Sequence, residues 1–317
     1  MHTVAIDTRL SQLQDWLRSV LSTELSIDPV LGDCSFRRYF RVKTARQSYI
    51  AMDAPPAREN CAPFIAIATA FQRSAVRLPI IFHQNVADGF LLLSDFGDQH
   101  LLKALQTQDA DALYSSALTD LLSMQTHPNH YSLPMFDATL FWKEFDIFDE
   151  WYLQKNKKII LSECEVKKLR ALYQLLIDSA LSQPQVFVHR DYHSRNIMIC
   201  DDGRLGFLDF QDAVIGPIAY DCVSLLRDCY VTFPEKKVEQ WARDFYQSLA
   251  LTQDFKVFMR WFDWMGLQRH LKCLGIFSRM ALRNQKPQYL SNIPRVLRYI
   301  HFVCDRYPEL QALKYYS

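Results

Sequence analysis

The apolar residues of the first hundred positions follow two spacings, one helical and one typical of strands. An amphipathic helix is predicted within the first 24 residues, because apolar side chains recur there at intervals of three and four. They are Leu10, Leu13, Leu17, Val20 and Leu21. Residues 37–42 alternate polar and apolar side chains, and they are predicted to pair as a strand with residues 48–53. Another helix is predicted to begin near Asn60 and Pro63, and further strands are predicted over 78–83 and 90–94.

After Gly97 the pattern becomes mainly helical. Helical stripes occupy 110–124 and 141–153, and Ser162 with Glu165 forms the capping-box signature of a long helix. Helices are predicted again from Ile218 almost to the end of the chain, with breaks at Pro234, near Thr252, at Pro287 and at Pro294. The chain is therefore predicted to adopt an α+β, two-lobe fold. Residues 1–97 form a small β-rich N-lobe, and residues 98–317 form a larger, mostly helical C-lobe.

Three short apolar runs, at 186–188, 197–199 and 205–208, predict strands that bring polar residues to one edge. Asp191 and Asn196 lie in the loop between the first two runs, and Asp209 follows the third. A tight turn is predicted over 201–203, where the sequence reads Asp-Asp-Gly.

These three residues have the chemistry of phosphoryl transfer. From His189 to Asn196 the sequence reads H-x-D-x-x-x-x-N, the catalytic-loop spacing of phosphoryl-transfer enzymes with the protein-kinase fold. Asp191 can accept the proton of an acceptor hydroxyl, while the side-chain oxygens of Asn196 and Asp209 suit Mg²⁺ on the phosphates of ATP. The alternative, that Asp191 and Asn196 only cap turns, does not account for the whole set in this order. We therefore predict Asp191 as the catalytic base and Asn196 and Asp209 as metal ligands.

A second Asp-Phe pair lies upstream, at Asp95 and Phe96. It comes almost a hundred residues before His189, whereas the metal-binding Asp of the kinase order follows the catalytic loop. The apolar run that ends at Ser94 suits a hinge between lobes. Backbone groups of Ser94, Asp95 and Phe96 are therefore predicted to bind the adenine edge of the nucleotide.

Composition narrows the class of protein. The 317 residues suffice for a sizeable core, and a formal charge of +1 gives no reason to expect a nucleic acid or membrane partner. Asp7 and Arg9 argue against a signal peptide, and no apolar stretch approaches the roughly 18 residues of a membrane span. The eight cysteines include no C-x-x-C pair, so reduced thiols are expected. We expect a cytoplasmic monomer.

The motifs around the catalytic loop also carry a family resemblance. The blocks 189–196, 208–213 and 216–221 resemble the pattern H-G-D-x-H-x-x-N, D-F-x-x-A and G-x-x-x-x-D of the aminoglycoside phosphotransferase and choline kinase superfamily. Segments 32–41 and 52–56 resemble one branch more closely, the bacterial N-acetylmuramate/N-acetylglucosamine anomeric kinases of cell-wall recycling. The resemblance implies a protein-kinase-like fold. It also implies that His189, His193 and Asp221 support the catalytic loop, with Asp221 accepting backbone hydrogen bonds.

The chain departs from the wider kinase pattern on its third strand. Met52 stands where a Lys is expected to contact the phosphates and pair with a Glu of the next helix, and residues 60–82 contain no acid. The phosphates must then be bound elsewhere. The available donors are Gly32, Ser35, Arg37, Arg38 and Arg41. Of these, Gly32, Ser35, Arg37 and Arg41 are predicted to bind the nucleotide. Ordinary solvated strand arginines are the alternative reading of Arg37 and Arg41.

The acceptor is predicted from the charge of the C-lobe. Residues 255–304 contain nine Lys or Arg and one acid, Asp263, although any one of these charges can simply be a solvated helix residue. A cationic acceptor would need carboxylates or an aromatic cage, so a neutral or anionic acceptor is favoured over an aminoglycoside or choline. The resemblance implies that this acceptor is an N-acetylated amino sugar. Trp151, Gln268 and Arg269 are the predicted acceptor-binding residues. The predicted activity is an ATP- and Mg²⁺-dependent sugar kinase acting on an anomeric hydroxyl. The alternatives are an aminoglycoside or amino-alcohol phosphotransferase and a nucleotide-binding pseudokinase scaffold.

Overall fold

The computed structural model describes residues 7–30, 36–127 and 133–317. The chain divides into two compact units. The first comprises Met1–Gln99 and Met198–Gln211, and the second comprises His100–Ile197 and Asp212–Ser317. The predicted boundary after residue 97 lies close to the end of the first long segment, whereas the return of residues 198–211 to the first unit had no signal in the sequence pattern.

The first unit is built on a five-stranded antiparallel sheet with the order β1-β2-β3-β5-β4. Its elements are α1 (Thr8–Leu21), β1 (Ser26–Val30), β2 (Arg38–Lys43), β3 (Ser48–Asp53), α2 (Ala62–Phe71), β4 (Ile81–Asn85) and β5 (Phe90–Ser94). The helix α1 begins after Asp7, whose side chain accepts a hydrogen bond from Leu10 N. Its buried residues Leu13 and Leu17 pack in one core with Phe40 and Ala51 of the sheet. The amphipathic helix predicted for this segment is confirmed.

Only glycine fits at position 89. Gly89 has a φ of +75°, and a Cβ there would lie 1.9 Å from the carbonyl oxygen of Ala54. The close approach lets Ala54 N donate a hydrogen bond to Gly89 O at 2.8 Å. This contact links the end of β3 to the turn before β5.

Two short strands follow the catalytic loop, β7 (Ile197–Ile199) and β8 (Leu205–Phe207). They pair with each other around the turn at residues 201–203, as the sequence predicted, and Gly203 has a φ of +78° there. Ile199 N donates to Gln99 O and Phe207 N to Arg77 O, so residues 199 and 207 are hydrogen-bonded to the long segment of the same unit. Asp209 lies just beyond β8.

The second unit is mainly helical. Its elements are α3 (Leu101–Ala104), α4 (Ala110–Gln125), α5 (Ala138–Ile147), a π-helix (Phe148–Asn156), α6 (Glu163–Leu181), β6 (Gln185–Val188), β9 (Val214–Pro217), α7 (Ala219–Leu226), α8 (Glu235–Ser248), α9 (Phe255–Leu282), α10 (Ile293–Arg306) and 3₁₀ helices at Pro287–Asn292 and Pro308–Tyr316. The capping box of Ser162 and Glu165 is present at the start of α6. The strands β6 and β9 pair antiparallel, although the sequence pattern indicated no strand at β9. The predicted α+β class is confirmed.

Two negative findings apply to the described part of the chain. No helix there is both long and apolar enough to cross a membrane. The seven cysteines described, at 61, 164, 200, 222, 229, 273 and 304, form no disulfide.

Candidate active site

The loop that carries Asp191 begins directly after β6 and is held by a buried carboxylate. Asp221, in the first turn of α7, accepts hydrogen bonds from His189 N at 2.5 Å and from Arg190 N at 3.0 Å. Burial raises the pKa of Asp221 to about 7, although both backbone hydrogen bonds oppose that rise. The backbone hydrogen bonds expected of Asp221 are therefore present.

Arg190 occupies a backbone conformation that favours glycine. Its φ is +73°, and the family pattern has Gly at this position. A non-glycine residue in the left-handed region costs on the order of 1 kcal/mol or more. Arg190 is held there at both ends, by Asp221 at its backbone and by Glu144, which its guanidinium contacts at 2.7 Å. The strained residue therefore fixes the backbone immediately before Asp191.

Asp191 is partly buried among cations. Burial raises its pKa, but Lys272, His193, Arg269 and Arg190 together outweigh that effect and hold the pKa below its ordinary value. Asn196 Nδ2 donates to the carbonyl oxygen of Asp191 at 3.0 Å, which orients the amide of the predicted metal ligand. The geometry favours an ionised Asp191, the form that a proton acceptor requires.

A second buried carboxylate supports the loop, and no sequence motif indicated it. Asp228 is 1% exposed and accepts a hydrogen bond from Ser194 N at 2.8 Å. His193 packs edge-to-face against Tyr230 with ring centroids 5.3 Å apart. Burial lowers the pKa of His193, although the nearby Asp228 and Asp191 oppose that shift. Its contacts suit the supporting role that the resemblance implies.

Glu144 on α5 organises the polar side chains behind Asp191. It is 2% exposed and contacts the guanidinium of Arg190, the ammonium of Lys272 at 2.9 Å and the amide of Gln268 at 2.9 Å. Lys272 also donates to Tyr220 Oη at 3.2 Å. Burial raises the pKa of Glu144, but Lys272 and Arg190 more than compensate and lower it. The only sequence signal for this residue was an acid between Phe141 and Phe145 on an apolar helix face.

The predicted acceptor residue Arg269 lies on α9 like Gln268 and Lys272, but its side chain has a different kind of partner. It is 4% exposed, and its Nη1 donates to Cys229 Sγ at 3.7 Å. Within the described ranges, no carboxylate lies within ion-pair distance of its guanidinium. Of the nine basic residues between 255 and 304, all of which are described, only Arg269 and Lys272 are buried. The positive charge near Asp191 therefore comes from these two positions of α9 and from Arg190.

The other two predicted acceptor residues, Gln268 and Trp151, have different surroundings. Gln268 is buried and donates to Glu144, so it belongs to the network behind Asp191. Trp151 lies in the π-helix, where Lys155 Nζ approaches its ring to 3.6 Å. No hydrogen bond or ring contact in the described segments joins Trp151 to Gln268 or Arg269. A role for Trp151 in binding the acceptor stays a prediction.

Asp209, the predicted metal ligand of the first unit, has a φ of +64°. Gln211 Nε2 donates to its Oδ1 at 2.7 Å, and the ring of Phe210 packs on Phe64 of α2 with centroids 4.6 Å apart. These contacts fix the carboxylate at the end of β8. The side-chain oxygens of Asn196 and Asp209 are hard donors of the kind that Mg²⁺ takes from protein when phosphates supply further ligands. The donor chemistry therefore fits the predicted ion.

The predicted phosphate donors fall into two groups. Gly32 and Ser35 lie outside the described residues. Arg37 contacts Glu59 at 2.9 Å, and Arg41 contacts Asp95 at 2.7 Å and Asp98 at 2.7 Å. Two carboxylates thus bind Arg41, which gives it a structural role at the end of β5. Its predicted contact with phosphate stays a prediction.

The predicted hinge segment, residues 94–96, already makes hydrogen bonds within the first unit. Ser94 N donates to Ile80 O at 3.0 Å, and Ser94 Oγ accepts from Ile80 N at 3.0 Å. Asp95 also accepts a hydrogen bond from Gly97 N, and Phe96 packs against Gly206. An adenine contact in this segment would therefore use backbone groups of Asp95 or Phe96 rather than the Ser94 N–H.

Comparison with known families now identifies the fold and the class. The model of a phosphotransferase enzyme family matches residues 26–256. The chain belongs to this family. An N-acetylmuramate/N-acetylglucosamine kinase of Pseudomonas putida is 41% identical over 97% of this chain and 95% of its own length. The corresponding kinase of Pseudomonas aeruginosa is 38% identical over the same shares. The family resemblance and the enzyme class predicted from the motifs are confirmed.

Solved structures agree on the fold. An ethanolamine kinase of Plasmodium vivax superposes with a TM-score of 0.70 at 13% identity, over 98% of this chain and 93% of that one. An aminoglycoside phosphotransferase in a ternary complex with streptomycin and ATP superposes with a TM-score of 0.61 at 15% identity, over 92% and 97%. The predicted protein-kinase-like fold is therefore confirmed.

Proposed function

We propose that this protein is an ATP- and Mg²⁺-dependent kinase that phosphorylates the anomeric hydroxyl of N-acetylmuramate and N-acetylglucosamine in the cytoplasm, in the recycling of cell-wall sugars. The observation that carries the proposal is the buried positive charge of Arg269 and Lys272 near Asp191. Relatives at 41% and 38% identity that bear this name support it. The use of ATP is supported by the ATP-bound fold relative.

Asp191 would act on the acceptor hydroxyl. Its carboxylate accepts the hydroxyl proton as the sugar oxygen bonds to the γ-phosphorus and the bond from that phosphorus to the β,γ-bridging oxygen breaks. The products are the sugar phosphate and ADP. Asp221 and the bond from Arg190 to Glu144 hold the loop in place during this step. Asn196 and Asp209 would bind the Mg²⁺, which neutralises phosphate charge.

Arg269 would distinguish between the acceptors. A buried guanidinium without a carboxylate partner is unfavourable unless an anion approaches it. The lactyl carboxylate of N-acetylmuramate supplies such an anion, whereas N-acetylglucosamine binds through neutral groups. Aminoglycosides and choline are cations, and they would be repelled by the same charge. We therefore disfavour an aminoglycoside or amino-alcohol kinase.

An acceptor screen tests the proposal. The purified protein is incubated with MgATP and, separately, N-acetylmuramate, N-acetylglucosamine, kanamycin and choline. We expect turnover with both sugars, and phosphorus coupling to the anomeric carbon in the NMR spectrum of each product. Efficient phosphorylation of kanamycin or choline would overturn the acceptor class. Absence of turnover with every acceptor, with nucleotide binding intact, would favour a pseudokinase scaffold.

A further inference from the structure

The sheet of the first unit has two faces, and only one of them packs on α1. Phe40 and Val42 of β2 and Ala51 of β3 share a core with that helix. Side chains alternate along a strand, so Tyr39 of β2 and its partner Met52 of β3 lie on the opposite face. Met52 is the position at which the kinase pattern has its phosphate-binding Lys. Any substitute for that Lys must reach this second face.

Arg37 is placed to reach it. The residue directly precedes β2, where continuing the alternation of the strand would put it on the same face as Tyr39, and its charge acts on that phenol. Its neighbour Arg38 lies on the α1 face, where it contacts Asp53, its partner in the register. Arg41 shares the face of Arg37 but is bound by two carboxylates. Lys43 also shares this face, but it lies exposed at the far end of β2 and contacts Asp28. The guanidinium of Arg37 contacts the carboxylate of Glu59, next to α2, at 2.9 Å.

The ion pair of Arg37 with Glu59 is largely buried and lies close to the predicted metal ligand. The two side chains are 11% and 15% exposed, and Glu59 is three residues before α2 begins. That helix carries Phe64, which packs on Phe210, the residue after Asp209. Burial raises the pKa of Tyr39 to about 12, while Arg37 lowers it and Asp209 and Glu59 raise it further. One phenol thus experiences the charges of Arg37, Glu59 and Asp209.

We propose that Arg37 and Glu59 replace the missing Lys–Glu ion pair. Arg37 is the cation that contacts the nucleotide phosphates, and Glu59 is the positioning residue that orients its guanidinium. The replacement moves the cation from the third strand to the start of the second, and moves the acid from within the helix to the turn before it. This inference rests on the proposed kinase function, but its test needs no acceptor sugar.

Binding of a non-hydrolysable ATP analogue tests the replacement. Calorimetry with Mg²⁺ and AMP-PNP is compared with calorimetry using adenosine, which lacks phosphates. Arg37→Met should weaken AMP-PNP binding by about 10-fold or more, the size expected for a lost charge-assisted hydrogen bond, and should leave adenosine binding unchanged. Arg37→Lys should recover part of the loss. Arg46→Met is the matched control, because Arg46 is exposed in the turn between β2 and β3.

The positioning role of Glu59 has its own readout. Glu59→Gln should weaken AMP-PNP binding less than Arg37→Met, and adding it to Arg37→Met should cause no further loss. KM for ATP should follow the binding data while adenosine inhibition stays constant. AMP-PNP affinity within two-fold of wild type in Arg37→Met would overturn the proposal, as would equal losses for AMP-PNP and adenosine. If Arg37→Met does not fold, Arg37→Lys and Glu59→Gln decide the question.

The two proposals fail in different ways. If wild type binds AMP-PNP but phosphorylates no amino sugar, the proposed function fails, and the Arg37 variants still decide the role of the ion pair. If wild type phosphorylates the sugars and the Arg37 variants bind AMP-PNP normally, only the ion-pair proposal fails. A wild type that binds no AMP-PNP overturns both.

Discussion

The two units each bury a carboxylate between two cations, but the cations differ in their access to water. In the sheet, Asp53 is fully buried while its partners Arg9 and Arg38 keep 29% and 37% of their side-chain surface exposed. In the helical unit, Glu144 is nearly as buried, but Lys272 and Arg190 are only 10% and 19% exposed.

The difference separates a structural ion pair from a functional charge cluster. Arginines that reach solvent can recover hydration when their acid is removed, so we expect the sheet to lose less stability when Asp53 is replaced. Cations held out of water must be balanced by protein or by ligand. One such cation in the described part of the helical unit, Arg269, has no carboxylate within ion-pair distance, although Asp191 and Asp228 interact with its charge at longer range. The proposed function assigns this charge to the binding of an anionic acceptor.

The largest effect should come from replacing Asp191, whose ionised form is favoured by Lys272, Arg269 and Arg190. Asp191→Asn keeps the shape of the side chain but removes the proton acceptor, so kcat should fall on the order of 10² to 10⁴-fold. Circular dichroism and AMP-PNP binding should be close to wild type. Turnover within a few-fold of wild type would show that Asp191 is not the base.

The next prediction compares the two Asp-Phe pairs of the first unit. Asp209→Ala should abolish the Mg²⁺ dependence of AMP-PNP binding, because it removes a predicted metal ligand. Asp95→Ala should not, since Asp95 contacts Arg41 and the turn at Gly97. Calorimetry with and without Mg²⁺ measures both. Loss of Mg²⁺ dependence in the Asp95 variant alone would reverse the two assignments.

Replacing the two buried carboxylates, Glu144 and Asp53, should lower the free energy of unfolding by different amounts. Glu144→Gln leaves Lys272 and Arg190 buried with a neutral partner, and breaking a buried pair costs about 3 to 5 kcal/mol. Asp53→Asn leaves cations that can reach water, so its cost should be nearer the roughly 1.5 kcal/mol of a hydrogen bond to a charged group. Denaturant unfolding of the two variants measures the difference. Equal costs would contradict the distinction drawn between the units.

Arg269 should influence the choice of acceptor more than stability. Arg269→Ala should lower kcat/KM for N-acetylmuramate by a factor equivalent to about 1.5 to 3 kcal/mol, because a charge-assisted hydrogen bond is lost. N-acetylglucosamine has no carboxylate and should lose less. Arg260→Ala, an exposed position on the same helix, is the control. Equal losses for both sugars would remove Arg269 from a carboxylate site.

The smallest effect concerns Asp120, a carboxylate whose pKa is raised by burial. Burial raises the pKa of Asp120 on α4 to about 6, whereas an unfolded Asp titrates near 3.9. The folded state therefore binds the proton more tightly, and this group lowers stability as pH rises from about 4 to 6. Asp120→Asn should be more stable than wild type by about 1 kcal/mol at pH 8, a value reduced for partial exposure, with little difference at pH 4. Melting temperatures across this range measure the effect.

Sequence alone determined the elements whose signals are local. The spacing of Leu13 and Leu17 marked a helix that packs on a sheet, because burial of one face imposes a period of about 3.6 residues. The loop that carries Asp191 and Asn196 was also predicted, because its motif and the apolar runs that flank it lie together between residues 186 and 199. The roles of the two residues stay predictions. The capping box at Ser162 and the turn at Gly203 were found for the same reason. The strand β9 was missed because four residues carry too little periodicity.

Only the tertiary structure decided which charges are used. Three acids that belong to no motif are assigned a role only by their contacts with residues distant in sequence or on another element. They are Glu144, Asp228 and Glu59. The nine basic residues of 255–304 look alike in sequence, yet packing buries Arg269 and Lys272 and leaves the remaining seven at least partly accessible to solvent. Arg38 lies on the face of the sheet opposite to Arg37 and Arg41, and the three arginines contact different acids. The electrostatic role of a residue depends on its distance from other charges and from water, and folding sets both.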